Sequence, residues 1–239
     1  MRFLTFLVVA VAAATHPCTQ ADEGDLLATR LQQLLTTAAS DPGAHLRYAV
    51  RDGAIAIGQQ TVRISPVVES KTRQAGQFVL GARFTVSLGS AEQPQLSSGQ
   101  VGIGSTVAEA ADTAVQEWYL GFGQALLKAI AHERGQHKIG GLAVYSGATG
   151  FRGQPPQGVT AASDQLKDRV LHTLASVLPR PDGRLHTLQV IVVVQPHAPP
   201  SSQVMLDGQD SESAATLAAS LRWPEVASPF MYKQAFILR

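Results

Sequence analysis

Residues 105–134, STVAEAADTAVQEWYLGFGQALLKAIAHER, limit the fold more than any other stretch. Val107, Ala111, Ala114, Trp118, Phe122, Leu126 and Ile130 recur every three or four residues, which is one apolar stripe on a helix. Thr106 and Glu109 have capping-box spacing, the hydroxyl and the carboxylate each satisfying an orphan N–H of the first turn. At about 1.5 Å per residue such a helix runs about 40 Å, long enough to floor an entire sheet. Gly121 and Gly123 inside it point to close backbone packing or a slight bend, with a ligand contact as the competing reading.

The segments before it supply the sheet. Leu27, Leu31, Leu34, Leu35 and Ala38 share one face of a helix that Asp41-Pro42-Gly43 stops. HLRYAVRDGAIAIG (45–58) reads as a hairpin turning at Asp52-Gly53. TVRISPVV (61–68) continues the sheet until Pro66 disturbs it. In QFVLGARFTVSLG (77–89), Phe78, Leu80, Ala82, Phe84, Val86 and Leu88 alternate with wetter positions, as in an antiparallel strand with one face buried. AEQPQLSSGQ (91–100) marks a loop and QVGIG (100–104) a short strand.

Beyond residue 137 the order changes. KIGGLAVYSG reads as a strand, SDQLKDRVLHTLASVL as a helix, HTLQVIVVVQ as a central strand apolar on both faces, and SQVMLDG as another strand. SESAATLAASLRW follows as a helix and FMYKQAFIL as the last strand. That is β-α-β-β-α-β, the split-βαβ, ferredoxin-like pattern. The expected class is therefore α+β. An antiparallel meander covered by a long helix (22–137) precedes a ferredoxin-like unit (138–239), and the two pack as one compact body because no linker separates them.

Residues 1–21, MRFLTFLVVAVAAATHPCTQA, have the charge, the apolar run and the small residues of a cleaved signal peptide, so a periplasmic or secreted protein is expected. Cys18 offers lipid attachment as a minor alternative, although Thr15-His16-Pro17 before it fits a lipobox poorly. Cleavage after Ala21 leaves a chain without cysteine, which excludes thiolate nucleophiles and thiolate metal sites. The chain has 19 basic and 18 acidic residues and no basic stripe, which argues against nucleic acid as a partner. No segment after the signal is long and apolar enough to span a membrane.

The chemistry-bearing motifs are near misses. In HERGQH (132–137) the histidines are five apart, which turns them about 140° from each other on a helix, whereas H-E-x-x-H needs four. The stretch fits a helix end better: His132 and Arg134 complement the dipole, and Gly135 supplies the left-handed residue. GIGST (102–106) lacks the third glycine of a dinucleotide fingerprint and the lysine of a P-loop. Ser146 lacks the first glycine of a nucleophile elbow. No catalytic, cofactor or metal residue is assigned, and no cofactor is expected. The Gly/Pro-rich stretch SGATGFRGQPPQG (146–158) reads as a long loop, either disordered or functional. Phe151 and Arg152 are its candidate anchors for a protein partner, being residue types enriched at binding hot spots.

Three stretches together carry a resemblance: VGIGSTVAEAADTAVQEWYLGFGQALL (101–127), TLQVIVVVQ (187–195) and LRWPEVASPFMYKQAFIL (221–238). Through Trp118, Gly121, Trp223, Pro224, Lys233 and Phe236 they resemble an uncharacterised bacterial domain-of-unknown-function family. In that family a Gly-rich strand enters a long helix, and a Trp-Pro corner leads to a final aromatic strand. The resemblance implies a fold and brings no activity. The functional expectation is a non-enzymatic envelope protein that binds a protein partner, inhibitor-like or immunity-like. The alternative is a periplasmic hydrolase with a dispersed Ser/His/Asp site.

Overall fold

The structure is a computed structural model that describes residues 17–41, 46–51, 53–89, 95–132, 135 and 137–239. Most of the expected signal segment (1–16), Pro42, Gly43, Asp52, Glu133 and Arg134 lie outside the described residues. The chain is α+β. Helix α1 (Pro17–Ala39) leads into an antiparallel meander of β1 (Ala49–Arg51), β2 (Ala54–Ile57), β3 (Gln60–Gln74), β4 (Gln77–Leu88) and β5 (Leu96–Gly104), hydrogen-bonded in chain order. Arg51 faces Ala54 across the first hairpin, and Gly53 takes the positive φ (71°) that a two-residue turn requires.

The long helical stretch packs on that sheet as α2 (Val107–Trp118), a π-helical turn (Tyr119–Gly123) and α3 (Gln124–Ile130). Its apolar stripe is buried from Ala111 to Ile130, with Val107 half-buried at the start, and Trp118 stacks on Phe84 of β4 at 4.8 Å. The capping box forms: Thr106 Oγ1 accepts from the Glu109 N–H, and the Glu109 carboxylate accepts from the Ser105 N–H at 2.8 Å.

The second sheet is built from β6 (His137–Ile139), β7 (Leu142–Ser146), β8 (Gly150–Gly153), β9 (His186–Val194), β10 (Ser201–Leu206), β11 (Gln209–Asp210) and β12 (Phe230–Leu238). Helices α4 (Gln157–Ala161) and α5 (Ser163–Leu174) separate β8 from β9, and α6 (Glu212–Ser220) separates β11 from β12. The strand order is β11-β10-β9-β12-β7-β6. Both βαβ units are split: β12 lies between β7 and β9, and β9 lies between β10 and β12. In the usual ferredoxin order the third strand of the unit fills the first gap, whereas here the fourth, β12, does.

The two units share one interior. Alternation along β12 sends Ala235 and Ile237 into the core formed by the first sheet, α1 and the long helix. Phe230, Tyr232, Phe236 and Leu238 go to the opposite core, against α5 and α6. The layers therefore run sheet, helices, sheet, helices, with both faces of β12 buried.

Four local expectations are corrected. Pro66 does not disturb β3, which continues to Gln74. There β3 has lost β2 as a neighbour, so the missing N–H faces an unpaired edge. Residues 96–99 are strand and not loop: they pair with β4, and Ser98 and Gln100 are polar yet point inward, which hides the alternation. The left-handed residue at the end of the long helix is His132 (φ 57°); Gly135 packs instead against Val144. Residues 146–158 are not a single long loop. Phe151 and Arg152 lie on β8, paired with Tyr232 and Met231 of β12, and α4 begins at Gln157.

Candidate functional site

The glycines of GIGST are explained by packing. A Cβ on Gly102 would lie 1.8 Å from the Ala110 carbonyl oxygen, and one on Gly104 2.5 Å from the Ala110 N–H nitrogen. Their faces are where α2 rests on β5, and the Glu109 carboxylate holds the N-terminal amide that an anion would seek. The ends of HERGQH go to different partners. Arg239 donates to His132 Nε2 at 2.9 Å, and His137 Nε2 lies 3.2 Å from Asp168. Among the described residues no cluster of His, Cys, Asp or Glu has a metal-holding arrangement. His186 is bound on both ring nitrogens by carboxylates, Asp207 at 2.8 Å and Asp182 at 3.0 Å.

The polar groups that packing does not explain gather elsewhere, where the two sheets meet. β5 is the last strand of its sheet, and every second carbonyl along its free edge takes a side-chain donor. Gln189 donates to Ser97 (3.4 Å), Lys233 to Gly99 (3.3 Å), Arg152 to Val101 (2.7 Å) and Thr113 to Ile103 (3.2 Å). Three of the four come from the second sheet. An edge blunted in this way is closed to further strand pairing.

Two interruptions meet beside this edge. On the helix, the π-helical turn frees the Leu120 carbonyl, which accepts from the Ala148 N–H at 2.8 Å. In the sheet, β7 and β8 both pair with β12 and residues 147–149 loop out between them. The buried Gln234 bridges that gap. Its Nε2 donates to the Gly147 carbonyl and its Oε1 accepts from Thr149. Gly147 is required there, because a Cβ would fall 2.1 Å from the Gly121 carbonyl oxygen.

Between these elements lies a cavity of about 180 Å³. Its walls are largely apolar, from Leu120, Phe122, Met231 and Ala235, and its polar groups include Gln100, Lys233 and the Arg152–Glu117 ion pair. Lys233 donates to Gln100 Oε1 and to the Gly99 carbonyl, two neutral acceptors. Burial, with Arg152 nearby, pushes its ammonium down to about 8, against a smaller opposing effect of Glu117. The two glycines of the helix part company here. A Cβ on Gly123 would lie 2.9 Å from the Trp118 ring, so packing explains it. One on Gly121 would meet nothing closer than 3.8 Å. Glycine inside a helix costs about 1 kcal/mol relative to alanine, and at Gly121 what it secures is open space in the cavity wall.

A model of a family of unknown function, DUF6348, matches residues 49–239. The chain belongs to that family. The match includes both sheets, the long helix and every residue lining the cavity. DUF6348 carries no assigned activity, so the site must be read from its own chemistry. No curated protein and no solved structure matches the chain.

The two expected anchors are brought to this site in different ways. Phe151 is half-buried and turns its ring toward Tyr232 (5.9 Å) and Phe230 (6.4 Å). Arg152 sits on the cavity wall, bound to Glu117 at 2.8 Å. Sequence reasoning assigned no site role to Gln100, Gln189 or Lys233. The available signal was a lysine on the same strand face as Met231, Ala235 and Ile237, and glutamines in otherwise apolar strands.

Proposed function

We propose that this member of DUF6348 is an exported binding protein whose site is the cavity between β5, the π-helical turn and β12. The single observation that carries this reading is Lys233. Its amine is largely withdrawn from water among apolar side chains and bonded to neutral acceptors, a costly arrangement that proteins concentrate at functional sites. Gly121 supports it from the other wall, keeping room where alanine would make a better helix. The export part rests on the signal-like residues 1–21. Cell fractionation with the native amino terminus tests it, and retention of the chain in the cytoplasm removes it.

The binding part is tested by thermal shift and native mass spectrometry with a panel of small organic molecules. Gly121→Leu serves as a filled-cavity control whose Cβ has room. Molecules that bind the native chain are expected to lose binding in Gly121→Leu. Equal binding to both would place the site elsewhere. A protein partner of inhibitor or immunity type is the second reading. It is favoured by the outer face of β5, where Val101 and Ile103 are 38% and 37% exposed beside Arg152. There, replacing Val101 and Arg152 by alanine should abolish complex formation, and unchanged affinity would remove the reading.

A further inference from the structure

We propose that the molecule held in the cavity is a compact organic monocarboxylate, its two oxygens received by Lys233 Nζ and Gln100 Nε2. This rests on the cavity being a binding site and adds the class of ligand. The fork follows from donor and acceptor chemistry. An ammonium only donates, so the Gln100 oxygen must face Lys233 and the amide nitrogen must face away from it. That nitrogen lies 3.8 Å from where a Gly121 Cβ would stand, on the open side of the cavity wall. Lys233 has three N–H donors and spends two on Gln100 and Gly99, which leaves one for a ligand.

Charge sets the valence. Lys233 and Arg152 bring two positive charges and Glu117 one negative, so the site carries one in excess. Arg152 is already bound by Glu117 and the Val101 carbonyl. A monoanion neutralises the excess. A dianion would leave a negative charge among apolar walls, and a neutral amide would leave the ammonium uncompensated. Size sets the body. A dry apolar cavity of about 150 Å³ accepts benzene, so about 180 Å³ suits one ring or a chain of about five carbons behind the carboxylate.

The test is isothermal titration of the full chain with benzoate and hexanoate, with the neutral isosteres benzamide and hexanamide, and with dianionic phenyl phosphate. The carboxylates are expected to bind at least about tenfold more tightly than the amides and than phenyl phosphate. Lys233→Met should erase the preference over the amides. Carboxylate affinity should fall as Lys233 loses its proton above about pH 8, with Arg152 and Glu117 the other charges facing it. Amides or phenyl phosphate binding as well as the carboxylates would overturn the proposal. If those ligands also fail to bind Gly121→Leu, the cavity stands as a binding site and only the carboxylate class falls. If no compound binds the native chain, or if Gly121→Leu binds as the native chain does, both readings fall.

Discussion

Replacing Gly102 by alanine asks whether the Gly-rich entry to the long helix is a packing device. The new Cβ would sit 1.8 Å from the Ala110 carbonyl oxygen, 2.7 Å from the Ala114 nitrogen and 2.8 Å from the Ala114 Cβ. Carbon and carbonyl oxygen approach no closer than about 3.3 Å, so α2 must retreat by about 1.5 Å from β5. The obstacle is backbone and not a flexible side chain. The helix is held in place by Thr113 on the Ile103 carbonyl and by Trp118 stacked on Phe84. Forced overpacking costs about 1–3 kcal/mol, and this site belongs at the upper end. About 3 kcal/mol lowers Tm by about 6–12 °C in a chain of this size. Gly99→Ala on the same strand is the control, since nothing lies within 4 Å of its Cβ, and it should change stability by less than about 0.5 kcal/mol. Urea and thermal unfolding followed by circular dichroism measure both. If the two variants unfold alike, the packing explanation of GIGST is wrong.

Further outcomes follow from charge and cavity geometry. Lys233 has a folded pKa near 8, below its unfolded value, so the unfolded chain binds the extra proton between about pH 8 and 10.5 and stability rises with pH across that window. The rise is worth up to roughly 3 kcal/mol, and urea titrations at pH 7.5 and 9.5 should show it in the native chain and not in Lys233→Met. His186 behaves in the opposite sense: burial opposes its charge, but the hydrogen bonds to Asp207 and Asp182 prevail and its pKa is raised. Its contribution is complete below about pH 6.5 and is lost as pH rises through the folded value, so His186→Gln should cost more stability at pH 5.5 than at pH 9. Gly121→Ala should stabilise the helix by about 0.5–1 kcal/mol in thermal unfolding, since its Cβ has room; a loss of similar size would mean the wall is tighter than the geometry gives.

The elements whose buried faces are apolar were legible. The stripe from Ala111 to Ile130, the alternation of Leu80 to Val86, and Leu27, Leu31 and Leu35 of α1 bury as their spacing demands. What escaped is what the cavity needs. Ser98, Gln100 and Gln189 are polar residues at inward strand positions, and the first two give residues 96–100 the composition of a loop. The π-helical turn leaves helical periodicity nearly intact while freeing one carbonyl, and spacing alone does not reveal it. β8 reads GFRG, and only its pairing with β12 makes it a strand. Gly121 and Gly123 look equivalent in sequence, yet one packs against Trp118 and the other borders open space. Lys233 stood among the residues carrying the family resemblance, but the Gln100 that orients it is over a hundred residues away in the chain.

What the structure argues furthest is that the cavity beside Lys233 holds a carboxylate. A crystal structure of the full chain grown with benzoate tests it most directly. Density is expected for the ring against Phe122 and Met231, with the carboxylate within hydrogen-bond distance of Lys233 Nζ and Gln100 Nε2. Crystals that hold benzoate elsewhere, or that leave this cavity empty at saturating benzoate, would contradict it.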